Sequence, residues 1–179
     1  MKREYFGIII RYLILIIVSF PNLYLFYFAL TPLTIYPVYF LLSIFFEVSL
    51  QLNTIFIGDF AIEIIEACVA SSAYYLLLIL NLSLPKINIK KRLKMILFAF
   101  SFLLVLNILR IFLLISLLLI FPPIFDITHK IFWYFISIFF VIGIWFIEIK
   151  LFKIKQIPIY SDIKFLIKQM NKSKTSKKN

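Results

Sequence analysis

The sequence predicts an all-α membrane protein, a polytopic bundle of about five transmembrane helices, with four or six spans as the alternatives. Of its 179 residues, 64% are hydrophobic and only 15% are charged, whereas soluble domains have about 25% charged residues. Several apolar runs approach the roughly 20 residues that a helix needs to cross a bilayer. With only three glycines beside such runs, helices are favoured over a barrel or a disordered chain.

The net charge of +11 is concentrated in two patches, residues 86–94 and the tail from residue 153. Both patches directly flank apolar runs, as cytoplasmic loops do under the positive-inside rule. We therefore interpret them as topology determinants next to anionic lipid, and we expect no nucleic-acid partner. Residues 1–152 form the predicted membrane domain, and residues 153–179 form a basic cytoplasmic tail predicted to be disordered.

The N-terminal third contains two predicted spans, residues 5–30 and 33–52. Three prolines are expected to break or bend these runs: Pro21, Pro32 and Pro37. Depending on whether one segment is re-entrant, or whether the first run is divided, the total becomes four, five or six spans. Because Arg11 interrupts the first run and no cleavage site follows it, we predict no removable signal peptide.

Three further spans follow, at residues 61–84, 95–121 and 130–152. With the two basic patches inside, the first and third run inward and the second runs outward. The third begins with an interfacial aromatic pair, Trp133 and Tyr134. The residues between the last two spans are predicted to form a short loop outside the cytoplasmic membrane.

Arg110 is the most unusual residue, because it is the only charge in its predicted span. A charge at mid-helix costs about 2.5–3.5 kcal/mol on insertion scales and marks a functional site by default. Asn107 precedes it by three residues and shares its helix face. The alternative is a structural ion pair with Glu47, Glu63 or Glu66.

Cys68 is the only cysteine and is predicted to lie near the outer end of the inward-running helix. Ser71 and Ser72 follow it by three and four residues and lie on the same helix face, which suggests an aqueous cavity. A lone cysteine is most often a small buried hydrophobe, so the surrounding polar residues carry the functional interpretation. One Cys and one His exclude a disulfide and a structural zinc site, and no cofactor is expected.

His129 is the only histidine and lies where the last predicted span begins. Asp126 is expected to act there as an N-cap or to orient the imidazole. The predicted topology brings Cys68, His129 and, more deeply, Arg110 toward one side of the membrane. Cysteine attack on a carbonyl needs these three groups: a thiolate favoured by a nearby cation, an imidazole to carry the proton, and a donor for the oxyanion.

One difficulty concerns depth. Arg110 precedes Phe121 by 11 residues, which places it about 16 Å below the outer helix end. The hypothesis therefore requires a cavity sunk below the membrane surface, or an arginine that reaches outward.

These residues resemble the exosortase/archaeosortase family of multi-spanning cysteine transpeptidases. The family pattern is an Ala-Cys motif that opens a helix, an Asn-x-x-Arg motif in a later helix, and a His or Arg after the next loop. Here the pattern corresponds to Ala67-Cys68, to Asn107 and Arg110, and to His129. The likeness covers residues 31–152 and includes the upstream Thr-Pro-Leu-Thr segment at residues 31–34.

One departure from the family concerns the cysteine motif. The family commonly has Ala-Cys-Ser-Gly, whereas this chain has Ala67-Cys68-Val69-Ala70. The missing glycine would matter if the backbone approached the substrate closely.

The resemblance implies cleavage of substrate proteins at a C-terminal sorting signal that consists of a short motif, a transmembrane helix and a basic tail. Cys68 would form a thioester that an amine acceptor, such as a membrane lipid headgroup, or water resolves. His129 would be the acid/base, and Arg110 would stabilise the thiolate or the oxyanion. The rival interpretations are a small transporter and an accessory structural membrane subunit, since charges at depth also mark transport pathways.

Overall fold

The computed structural model describes residues 2–20, 23–85, 87–132 and 137–154. Most of these residues are helical, in seven helices: α1 (Lys2–Ser19), α2 (Tyr24–Ser43), α3 (Glu66–Val69), α4 (Ser71–Leu82), α5 (Ile89–Ile120), α6 (Pro122–Ile131) and α7 (Ser137–Leu151). The helical prediction is therefore confirmed for most of the described chain. The all-α prediction is wrong in one respect, because a three-stranded sheet lies between α2 and α3.

The number of long apolar helices is smaller than predicted. Within the described residues, only α2 and α5 are long and apolar enough to cross a membrane, while α1 and α4 are apolar but shorter. About five spans is therefore not supported. The predicted spans 33–52 and 61–84 fail because the sheet takes residues from both.

The sheet consists of β1 (Val48–Gln51), β2 (Thr54–Ile57) and β3 (Phe60–Glu63), in that order and antiparallel. In β1, Val48-Ser49-Leu50-Gln51, apolar residues alternate with polar ones, which is the two-residue period of a strand. The apolar members lie on one face and join the core: Val48, Leu50, Ile55, Ile57 and Ile62. The first residue of each two-residue turn, Leu52 and Gly58, has a positive φ.

The prolines of the N-terminal third behave differently from the prediction. Pro32 and Pro37 lie inside α2, so they do not divide this run. Pro21 lies outside the described residues. So do Trp133, Tyr134 and residues 155–179 of the predicted tail.

Helix α5 forms the centre of the molecule and packs against α2, α4, α6 and α7. The apolar helix predicted over residues 95–121 is confirmed, and it begins earlier, where the Asn88 side chain accepts a hydrogen bond of 3.3 Å from the Lys90 N–H. Much of the predicted basic loop is therefore the first turns of α5. The helix ends where Pro122 starts α6, so the predicted outer loop is helical as well.

Two arginines hold the C-terminal end of α4 against α1 and α5. Arg11 Nη1 donates to the carbonyls of Leu82 and Leu84 at 2.9 and 2.8 Å. Arg92 donates to the same two carbonyls at 3.0 and 2.6 Å. These bonds satisfy carbonyls that have no partner within the helix.

The two ends of the bundle differ in charge. The C-terminal end of α4 lies beside the basic start of α5, so Ser71, α3 and the sheet lie toward the opposite end. That region carries four acidic residues, Glu47, Asp59, Glu63 and Glu66. The sequence has no Lys or Arg between Arg11 and Lys86.

Candidate functional site

Cys68 lies in α3, a single turn that follows β3. Its N–H donates to the Ile65 carbonyl at 2.9 Å. The turn ends at Ala70, whose φ of 60° and ψ of 35° are left-handed, and α4 begins at the next residue. The cysteine is therefore not inside a continuous helix, as the sequence analysis expected.

Ala70, the residue with the left-handed backbone, is also a position at which the sequence differs from the motif that it resembles. Ala70 stands where the resembled motif has Gly, and only Gly adopts a positive φ without a steric cost. The backbone conformation thus matches the family residue better than the alanine that this chain carries.

Asn107 on α5 connects the two motifs. Its Nδ2 donates to the Cys68 carbonyl at 2.8 Å, and the asparagine is only 2% exposed. Because this bond places Cys68 level with Asn107, the cysteine lies one helical turn from Arg110 in depth. Arg110 follows Asn107 on α5, so it lies farther from the basic start of the helix than Cys68 does, and not deeper as predicted.

Arg110 is 5% exposed and has an electrostatic interaction with Cys68. Its Nη1 donates to Ser137 Oγ at 2.9 Å, and its Nε has no hydrogen-bond partner among the described residues. Glu47, Glu63 and Glu66 are exposed. The structural ion pair considered as an alternative is thus not observed in the described part of the chain.

A cavity of about 320 Å³ opens beside these groups. Its polar lining comes from α3, α4, α5 and α7: Glu66, Ser71, Ser72, Arg110 and Ser137. Ser71 Oγ is buried and, like Arg110 Nε, has no hydrogen-bond partner among the described residues. Two unpaired donors at one cavity suit a carbonyl oxygen or an anion, since buried polar groups normally have partners.

Ser71 and Ser72 line the cavity for a reason that the sequence analysis did not predict. The helical spacing from Cys68 does not apply, because the chain turns at Ala70. Ser71 and Ser72 instead begin α4, and the cavity lies at the start of this helix.

Cys68 is half-buried, packs against the hydrophobic core and is not itself among the residues that line the cavity, although its neighbours Ala67 and Ala70 are. Burial raises the pKa of this thiol above its ordinary value, and the positive charge of Arg110 only partly offsets the effect. The expectation that the nearby cation favours the thiolate is therefore outweighed by desolvation in this structure.

His129 and Asp126 lie on α6 and do not line the cavity. The imidazole stacks on Phe125, with ring centroids 5.4 Å apart and planes at 7°. Asp126 is exposed within the helix, whose N-cap is Phe121. The N-cap prediction for Asp126 is wrong, since the two prolines start the helix four residues earlier.

Sequence reasoning missed Tyr27 and Ser137. Ser137 pairs with the buried arginine, and a polar residue within an apolar run was the signal for it. Tyr27 lines both the site cavity and a second one of about 470 Å³, and its hydroxyl accepts a hydrogen bond of 3.0 Å from Asn53 Nδ2. No sequence pattern pointed to Tyr27.

Comparison with known proteins adds no relative. The chain matches no protein family, no curated protein and no solved structure. The functional argument therefore depends on the site itself.

Proposed function

We propose that this protein is a membrane cysteine peptidase or transpeptidase that cleaves C-terminal sorting signals of exported proteins. The observation that carries the proposal is the Asn107 bond to Cys68, which brings the only cysteine to a buried arginine and a polar cavity. The order of the motifs and the left-handed backbone at Ala70 support the resemblance to exosortases and archaeosortases.

Apolar side chains on the outside of the helices support the membrane location. Large residues on α2, α5 and α7 are each more than half exposed: Phe28, Phe40, Leu97, Leu113 and Phe139. Soluble proteins rarely expose contiguous apolar surface on this scale. The basic start of α5 is the proposed cytoplasmic end, and the site near the acidic end then faces outside the cell membrane.

The proposed reaction starts with attack of Cys68 Sγ on the scissile carbonyl carbon. Sγ and carbon form a bond, the peptide C–N bond breaks, and the thiol proton leaves on the amine. An acceptor amine, for example on a membrane lipid, or water then attacks the thioester and releases Cys68 as a thiol. Arg110 Nε and Ser71 Oγ are the proposed donors to the oxyanion.

The raised pKa of Cys68 means that the resting thiol is neutral, so a base must accept its proton during the attack. His129 is the proposed carrier, and this role requires α6 to approach the cavity when substrate binds. The bond between Arg110 and Ser137 holds the start of α7 at the site, and α6 lies just before it in the chain.

The test compares the C-termini of exported proteins in host cells that carry wild-type or variant chains. With Cys68→Ser or Arg110→Leu we expect precursors to retain their C-terminal transmembrane helix, as measured by mass spectrometry of C-terminal peptides. Arg110→Leu should insert at least as well as wild type, because the substitution removes a costly charge. Ser101→Ala, an exposed change elsewhere on α5, is the matched control.

The same cells distinguish the rival interpretations. A hydroxylamine-sensitive adduct on Cys68, found in wild type and absent in Cys68→Ser, would support the thioester. Identical C-termini in wild type and Cys68→Ser would overturn the proposal and leave the transporter and the accessory subunit.

A further inference from the structure

β3 is an open edge of the small sheet. Phe60 and Ile62 face Ile57 and Ile55 across a two-residue turn, so their backbone groups bond to β2. The Ile64 N–H continues this pattern and donates to the Asn53 carbonyl at 2.9 Å. Ala61 and Glu63 alternate with these residues and therefore direct their N–H and C=O groups away from β2.

Nothing in the described part of the chain pairs with this outer side of β3. Ala61 and Glu63 are both exposed. β1 forms the opposite edge of the sheet and contacts α2. An exposed row of unpaired backbone groups is a template for an added strand.

The open edge leads directly to the candidate site. Cys68 is the fifth residue after Glu63 in the sequence, which is at most about 17 Å of extended chain. α3 begins three residues after the end of β3, and its residues Glu66 and Ala67 line the cavity. A peptide that pairs with β3 would therefore extend to the cavity mouth.

The charge at this edge indicates the kind of peptide. Asp59, Glu63 and Glu66 are exposed along it, whereas Arg110, the basic residue in the cavity lining of the described chain, is buried. Asp59 lies at one end of β3, and Glu63 and Glu66 lie at the other. These acidic groups favour a cationic partner through electrostatic complementarity.

We propose that the edge of β3 binds an extended segment of polypeptide that carries lysine or arginine, as a fourth strand, and directs it to Cys68. The identification of this segment as substrate depends on the proposed function; the binding itself does not. Main-chain hydrogen bonds to Ala61 and Glu63 would provide affinity, and the acidic side chains would select the charge.

Binding is measured with the full chain carrying Cys68→Ser, in detergent micelles, so that no chemistry interferes. The probe is a fluorescein-labelled heptapeptide of alternating valine and lysine, followed by fluorescence anisotropy. Ala61→Pro removes the outward N–H while leaving the bonds to β2 in place, and we expect at least tenfold weaker binding. Ala61→Val is the matched control and should bind as well as the parent.

A second comparison needs no change in the protein. The same peptide N-methylated at every backbone nitrogen cannot donate strand hydrogen bonds from either edge, so it should bind at least tenfold more weakly. Replacement of its lysines by glutamates should weaken binding similarly.

Equal binding of the N-methylated and unmodified peptides would overturn the proposal, as would no binding of the lysine peptide to the parent. If the parent protein is a dimer and Ala61→Pro converts it to a monomer, the edge binds a second copy of the chain, and the proposed peptide partner is wrong. Unchanged host processing in Cys68→Ser would remove the proposed function without affecting the binding result, so the two failures are distinguishable.

Discussion

Asn107 Nδ2 donates a hydrogen bond of 2.8 Å to the backbone carbonyl of Cys68, across 39 residues of sequence. The helix that carries the buried arginine therefore also holds the turn that carries the cysteine. Because this turn is only four residues long, it depends on contacts with other elements for its position. The bond thus fixes the relative depth of Cys68 and Arg110.

Asn107→Asp should release this turn. The substitution keeps the side-chain size but replaces the donor with an acceptor, so the buried Cys68 carbonyl loses its partner. We expect a loss of about 1–3 kcal/mol in the free energy of unfolding and faster reaction of Cys68 with N-ethylmaleimide. Asn53→Ala, which removes a hydrogen bond to Tyr27 instead, should leave the rate unchanged. An unchanged rate in Asn107→Asp would contradict the anchoring role.

The labelling rate of Cys68 should rise only at high pH. The thiolate is the reactive form, and burial raises the pKa of Cys68, so the midpoint should lie above the value of about 8.5 for free cysteine. Arg110→Leu should move the midpoint higher still, because the arginine charge lowers this pKa, whereas Arg110→Lys should move it less. The measurement is the maleimide reaction rate against pH in purified protein. A midpoint below that of free cysteine would contradict the prediction, because it would show that stabilisation of the thiolate outweighs the effect of burial on the pKa.

Ala70→Gly should stabilise the protein. Alanine pays a steric cost at a φ of 60° that glycine does not, so the free energy of unfolding should rise by about 1 kcal/mol. Ala73→Gly is the matched control within α4, where glycine should cost about 0.5–1 kcal/mol. Denaturant unfolding in detergent micelles measures both variants, and a loss of stability in Ala70→Gly would refute the strain argument.

Arg11 and Arg92 should be energetically coupled, because both donate to the carbonyls of Leu82 and Leu84. After one arginine is replaced by methionine, the other still bonds to both carbonyls. The double variant leaves the carbonyls without either donor, so its loss should exceed the sum of the single losses by roughly 1 kcal/mol. The exposed Lys91→Met, tested with Arg11→Met, should give an additive control in the same unfolding measurement. Additive losses for the two arginines would contradict the shared role.

The sequence by itself determined the long apolar helix α5 and its C-terminal end, whereas α2 (Tyr24–Ser43) lies across the boundary between the predicted spans 5–30 and 33–52. The apolar run of α5 ends at Pro122, and the spacing of Asn107 and Arg110 placed both on one buried helix face. These features are local, since helix periodicity and proline act over a few residues. The pairing of Arg110 with Ser137 instead depended on the packing of α7 against α5.

The tertiary structure decided where the remaining candidate residues lie. The apolar residues within 48–63 are compatible with either a helix or a strand. Pairing between neighbouring strands is what favours the sheet. The left-handed Ala70 ended the helix that the sequence pattern extended through Cys68. His129 was predicted to lie beside Cys68 from membrane sidedness alone, but sidedness does not fix distance: His129 is not among the residues that line the cavity, and its ring stacks on Phe125 one turn earlier in α6. Contacts between residues far apart in sequence leave no periodic signal, so only the folded chain shows which polar groups share a cavity.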